Sequence, residues 1–324
     1  MDRAAWCRAN ELTLTLTRFR LDRAKGRPAT ITAPGLHCGH TTAPAEPTEH
    51  ESMTNPDSHR IHSSDHWVAH PLGRIFVRAW TPSHQPTDPA PRCPVVLFHD
   101  SLGSVELWRD FPLRLSEATG RRVIAYDRLG FGHSDPRGAL PSLDFVAEEA
   151  AVYFPVVLAQ LGLSEFIAFG HSVGGGMAVH CAAALAGQCR ALITESAQAF
   201  TEDRTLDGIR VAKAQFKDVA QVQRLEKYHG DKARWVLDAW TERWLHPDFA
   251  SWSLAPVLPQ VRCPTLVIHG RQDEYGSARH PEMIGEGCSG PSQVEILPDT
   301  RHVPHREQPD TVIGLVSRFL AALG

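Results

Sequence analysis

Apolar residues recur in short blocks from Trp67 to the C-terminus, and before Trp67 they follow no period. Trp67–His70 and Arg74–Trp80 flank Pro71-Leu72-Gly73, which predicts two strands joined by a tight turn. Continuous apolar runs at Pro94–His99, Arg122–Tyr126, Leu163–Phe169, Ala191–Thr194, Thr265–His269 and Gln293–Leu297 predict buried strands. Between them the period changes to that of a helix, over 107–118, 143–161, 173–185, 234–245 and 308–323. In the second of these Val146, Ala150, Tyr153, Val157 and Leu161 share one face, and Pro155 predicts a kink. Strands alternating with helices imply an α/β fold with a mostly parallel sheet covered on both faces. Sites in such sheets collect at the carboxyl ends of the strands.

The first 65 residues cluster Thr, Pro and His between Arg27 and His66, which predicts an extension without a packed core. The acids Asp2, Glu11 and Asp22 argue against an organelle transit peptide, and Met53 offers an alternative start. With 324 residues, 42% hydrophobic and 22% charged, the chain can bury one large core. A formal net charge of -4, with no basic stripe, points away from nucleic acid, and no apolar run is long enough to span a membrane. A cytoplasmic protein acting on a small molecule, as a monomer or homo-oligomer, is the expectation. The seven scattered cysteines predict free thiols. His37-Cys38-Gly39-His40 is the nearest approach to a metal motif, and its surroundings carry no other sign of structure, so neither metal nor cofactor is expected.

Candidate chemistry centres on Gly170-His171-Ser172-Val173-Gly174, a Gly-x-Ser-x-Gly sequence set between a predicted strand and a predicted helix. The glycines permit a turn sharp enough to project the serine hydroxyl, and the helix start aims backbone N–H groups at whatever that hydroxyl attacks. A serine nucleophile needs a histidine base, and the base needs a carboxylate to set its tautomer. Asp273 follows the strand 265–269 and is the expected acid; Glu274 beside it reads as solvated, and Glu195, after 191–194, as a rival acid placed second, on the pocket floor or supporting the site from behind it. His302 lies in the loop after 293–297 and is the expected base, while His305 nearer the last helix reads as a packing or capping residue. The oxyanion donors expected are the N–H groups of Val173 and of Ser101, in the loop His99-Asp100-Ser101-Leu102-Gly103-Ser104.

The His99 loop, Asp127-Arg128-Leu129-Gly130-Phe131-Gly132-His133-Ser134, the Gly170–Gly174 elbow and the Asp273 and His302 loops occur in the order that resembles the α/β-hydrolase superfamily, from about Trp67 onward. Two positions depart from its usual pattern, with His99-Asp100 for His-Gly and Arg301-His302 for Gly-His. The resemblance implies a core over 66–197 and 262–324, with a helical cap over 198–261 after the sixth strand. Four of the eight tryptophans fall between Trp235 and Trp252, so the cap is expected either to wall an apolar pocket or to fill its own small core. Trp240, Trp244, His99 and Glu195 are the candidate substrate contacts. The expected activity is hydrolysis of a carboxylic ester or lactone through an acyl-enzyme. Cleavage of a C–C bond or amide by the same triad is the alternative, and a non-catalytic small-molecule receptor is the reading from another class. Halide displacement is disfavoured because the family's dehalogenases place an aspartate where this chain has Ser172.

Overall fold

The computed structural model describes residues 61–83 and 92–323. The remainder of the predicted extension, Met53 and the His37–His40 motif lie outside the described residues. Eight strands form one sheet: β1 (Ile61–His70), β2 (Gly73–Pro82), β3 (Val95–Phe98), β4 (Val123–Tyr126), β5 (Phe166–His171), β6 (Cys189–Glu195), β7 (Thr265–Gly270) and β8 (Ser292–Leu297). Their spatial order is β1-β2-β4-β3-β5-β6-β7-β8. β1 and β2 are antiparallel, β2 joins β4 antiparallel, and every pairing from β4 to β8 is parallel. β1 starts at Ile61, inside the stretch assigned to the extension. Its residues 61–66 alternate weakly on an exposed sheet edge, so they carry little apolar signal, and their pairing with β2 completes the strand.

The continuous apolar runs follow from burial on both faces. In β3, Val96 and Phe98 enter one core while Val95 and Leu97 enter the other; in β5, Ala168 and Ile167 divide in the same way. Met177 and Ala178 of the helix Val173–Ala184 pack into the first core. Phe111 and Leu115 of Phe111–Thr119, with Val312 and Val316 of Pro309–Ala321, close the second. The predicted helix over 143–161 is interrupted. Phe145–Glu148 passes through a single wide π-turn, Glu149–Tyr153, into Phe154–Gln160. Pro155 lacks an N–H for the preceding turn, and the wide turn absorbs that loss.

Between β6 and β7 lie the helices Asp203–Gln215, Val219–His229 and Ala233–Trp244. Phe216, Leu225, Val236 and Leu237 form a small core there that also takes Phe131 from the loop after β4. Trp244 is buried among the rings of Phe249 and Trp252, centroids 5.4 and 5.7 Å away, and belongs to the main core. It is not an open pocket wall. Among the described residues no helix is long and apolar enough to cross a membrane, and Cys93, Cys181, Cys189, Cys263 and Cys288 are free thiols.

Candidate active site

β5 ends at His171, and the chain reverses at Ser172 into the helix Val173–Ala184. Ser172 takes φ 55° and ψ −126°, a region that costs a non-glycine residue roughly 1–3 kcal/mol. Close packing enforces it. A Cβ on Gly170 would lie 2.1 Å from the Gly174 carbonyl oxygen, and one on Gly174 would lie 2.2 Å from that of Phe98. The spacing of glycines around the serine therefore records how near the helix start sits to β5 and to the end of β3. The Ser172 N–H donates to the Glu195 carbonyl at 2.9 Å, tying the turn to β6.

Two loops at the same end of the sheet bring side chains to this serine. His302 Nε2 stands 3.0 Å from Ser172 Oγ, and His302 Nδ1 is 2.9 Å from both Asp273 oxygens. Asp273 Oδ1 also accepts the N–H groups of Tyr275 and Gly276, at 2.8 and 3.1 Å, so the loop after β7 folds around its carboxylate. His269 adds a contact of 3.6 Å to Oδ2. Opposite, the loop after β3 begins against the elbow, since the Phe98 and His99 carbonyls are the atoms that crowd Gly174. Gly103 N–H donates to the Asp100 carbonyl at 3.2 Å, closing a turn with Ser101 and Leu102 at its bend.

A family model described as the alpha/beta hydrolase fold matches residues 94–309. The chain belongs to the α/β-hydrolase family. It is 26% identical over 239 residues to the serine hydrolase BPHL of Mus musculus, across 70% of this chain and 78% of that one. It is 27% identical over 250 residues to the 2-hydroxymuconate semialdehyde hydrolase of Pseudomonas sp. (strain CF600), across 70% and 87%. The crystal structure of a Mycobacterium smegmatis proline iminopeptidase superposes with a TM-score of 0.63 at 20% identity, covering 80% of this chain and 98% of that one; at that identity the likeness is one of fold.

Within this α/β-hydrolase frame the electrostatics of the facing groups differ. Burial opposes charge on His302, but the charge and hydrogen bond of Asp273 outweigh it and raise the imidazole to about 9. Asp273 is fully buried, which alone would raise its carboxyl; the charge and hydrogen bond of His302 pull it below the usual carboxylate range instead. The two shifts agree in describing a pair that favours the ionised state.

Several sequence-predicted contacts have other partners. His99 is buried, with Nδ1–H donating to the Asp100 carbonyl at 2.8 Å and Nε2 accepting the Arg128 N–H at 3.1 Å. Both nitrogens are thus committed to holding the loop, and burial keeps the ring neutral. Glu195 is completely buried and bonded to His305, Nδ1 to Oε2 at 2.6 Å, so of its two readings it lies behind the site and does not floor a pocket. Glu274 is half-buried, with one oxygen enclosed by protein, and is not the fully solvated neighbour its position suggested. Trp240 is half-buried, and its ring lies 6.3 Å from that of Tyr275, which in turn is 4.9 Å from the His302 ring.

Sequence reasoning missed two side chains. Gln198, buried at 3% exposure, has Oε1 3.2 Å from Ser172 Oγ. It belongs to no motif; its only signal is its place just beyond the carboxyl end of β6, where Ala199 N–H donates to His280 Nδ1 at 3.0 Å and pins the segment. Tyr275 is the second, and its signal was equally positional, two residues after the expected acid.

Proposed function

We propose that the chain hydrolyses a carboxylic ester or lactone of a small, largely apolar compound through an acyl-enzyme. The observation that carries this reading is the continuous chain of contacts from Ser172 Oγ through His302 to Asp273, at 3.0 and 2.9 Å, on loops 130 and 29 residues apart in sequence. In its neutral form His302 takes the Ser172 proton at Nε2 while Oγ bonds to the acyl carbon. The electron pair of the C=O bond moves to oxygen, and the backbone N–H groups of Val173 and Ser101 are the donors available to it; each such donor is worth on the order of 3 kcal/mol. Collapse expels the alcohol, which takes the proton from His302. Water then repeats the sequence, releasing the acid and regenerating Ser172. Asp273 orients the ring and stabilises the imidazolium without itself taking the proton.

The Tyr275 ring, 4.9 Å from that of His302, and the Trp240 ring, 6.3 Å from that of Tyr275, offer aromatic surface beside the base, which supports an apolar substrate. Hydrolysis of a C–C bond is the second reading, supported by the similarity to the 2-hydroxymuconate semialdehyde hydrolase, which shares 27% identity with this chain. A fluorophosphonate probe tests the nucleophile: wild type is labelled and Ser172→Ala is not. A series of p-nitrophenyl esters of increasing acyl length, run beside lactones and dienone acids, tests the reaction. Preferential turnover of dienone acids would favour the C–C reading, and an unlabelled, inert but folded protein would favour a receptor.

A further inference from the structure

Directly beneath the triad lies a second acid–histidine pair that the hydrolytic steps do not use. Glu195 Oε2 and His305 Nδ1 are 2.6 Å apart, and both side chains are almost completely buried. The backbone of Glu195 accepts the N–H of the nucleophile, Ser172, at 2.9 Å. His171, the neighbour of Ser172 in sequence, pairs with Glu195 in the β5–β6 ladder, and its Nε2–H donates to the His302 carbonyl at 2.8 Å. Its ring is 5.0 Å from that of His305 and 5.2 Å from that of His302, while Trp108 covers His305 at 4.7 Å. Glu195 and its neighbours are therefore in touch with both ends of the Ser172–His302 contact through main-chain atoms.

We propose that Glu195, His305 and His171 form a positioning element for the triad, in which the Glu195–His305 contact holds a single shared proton and stays net neutral. This rests on the triad reading given above. The geometry favours neutrality, because Glu195 Oε1 is buried with no hydrogen-bond partner, a poor setting for a full carboxylate charge. The charged and titratable groups facing the pair are His171 from β5, His302 and Arg306 from the loop after β8, and Asp100 and Arg109 from the segment after β3. Burial raises Glu195 to about 7 and holds His305 well below the ordinary imidazole range, and both shifts place the shared proton on the pair without a net charge. Burial also lowers His171 to about 4, keeping it neutral, so its one proton stays on the Nε2 that donates to His302.

The test combines turnover, its pH profile and an infrared reading. Glu195→Ala is expected to lower kcat by roughly 10–100-fold with KM nearly unchanged, the size of effect that a small displacement of catalytic groups produces. Glu195→Gln, which keeps shape and hydrogen bonding without an ionisable proton, restores most of that loss. The pH profiles move in opposite directions. In Glu195→Ala the lost side chain leaves room for water beside His305 and relieves the burial that keeps it neutral, and a cation under His302 then shifts the alkaline rise of kcat to lower pH. In His305→Ala the unpaired carboxylate shifts it to higher pH. The protonated-carboxyl C=O stretch of wild type at pH 6 should be missing from Glu195→Gln, and this reading needs no turnover. If Ser172→Ala keeps its activity, the triad reading fails while the infrared band stands. The positioning proposal is overturned if Glu195→Gln is as impaired as Glu195→Ala, if neither pH profile moves, or if the band is absent from wild type. Should Glu195→Ala not fold, the Glu195→Gln profile and the band decide. A stoichiometric divalent metal in purified protein, lost with Glu195→Gln, would overturn it too, since one oxygen or nitrogen from each of the three side chains lies within 4.8 Å of the others.

Discussion

Two buried carboxyl–histidine pairs sit side by side in this molecule, and one is ionised where the other is neutral. In each, a carboxylate meets a histidine Nδ1, at 2.9 Å for Asp273–His302 and 2.6 Å for Glu195–His305. Asp273 additionally accepts two backbone N–H groups and approaches His269, so its negative charge is satisfied from several sides. Glu195 has one oxygen without any partner. The first pair is therefore stable as an ion pair and raises His302, whereas burial dominates the second and suppresses both charges. Identical functional groups thus acquire different chemistry from the number of donors their surroundings offer.

The largest test of this contrast removes each histidine in turn. His302→Ala should lower kcat/KM by on the order of 10⁵–10⁶-fold, as loss of a triad base does, whereas His305→Ala should cost no more than roughly 10²-fold, the scale of a misplaced catalytic group. Comparable losses from both, measured on one ester, would break the distinction. Neutralising each acid comes next. Asp273→Asn should cost on the order of 10⁴-fold, because the amide favours the wrong imidazole tautomer. Glu195→Gln should cost only a few-fold, since it exchanges one hydrogen bond worth about 1 kcal/mol for another.

A smaller effect lies in the pH dependence of wild-type turnover. His302 must be neutral to accept the Ser172 proton, and Asp273 raises it to about 9. The rate should therefore climb about tenfold per pH unit through neutrality and level off on the alkaline side. A plateau already reached at pH 6 would contradict the ion-pair description.

The smallest effect is on stability. His302 has a folded pKa above its unfolded value of 6.5, so its contribution is full below 6.5 and is lost as pH rises toward about 9. For the second pair the contributions oppose. Glu195, raised from 4.5 to about 7, binds more protons when folded, so stability falls with rising pH across that window. His305, lowered below 6.5, binds fewer, so stability rises with pH up to 6.5. In Glu195→Gln only the His305 contribution remains, so the melting temperature relative to wild type should drop between pH 7 and pH 5. Parallel melting curves would show that the pair does not share a proton.

The elements were legible in sequence where their signal was local. Val95–Phe98 and Phe166–Phe169 read as strands because they are buried on both faces and apolar throughout, and the Gly170–Gly174 spacing reflects contacts within one turn and its neighbour strand. Residues 61–66 escaped notice because an exposed edge strand needs no apolar alternation. Glu195, His99 and Trp244 read as pocket residues because a sequence lists side-chain chemistry without the neighbours that consume it: His305, Arg128 with the Asp100 carbonyl, and the rings of Phe249 and Trp252.

By itself, then, the sequence determined an α/β chain with a serine at a strand-to-helix elbow and the acid and histidine candidates in order on later loops, because strand burial and tight turns leave their mark within a few neighbouring residues. Only the tertiary structure decided which acid meets which histidine. Those choices are made across 29 and 110 residues, and the charge each pair carries depends on donors and burial supplied by other strands and loops.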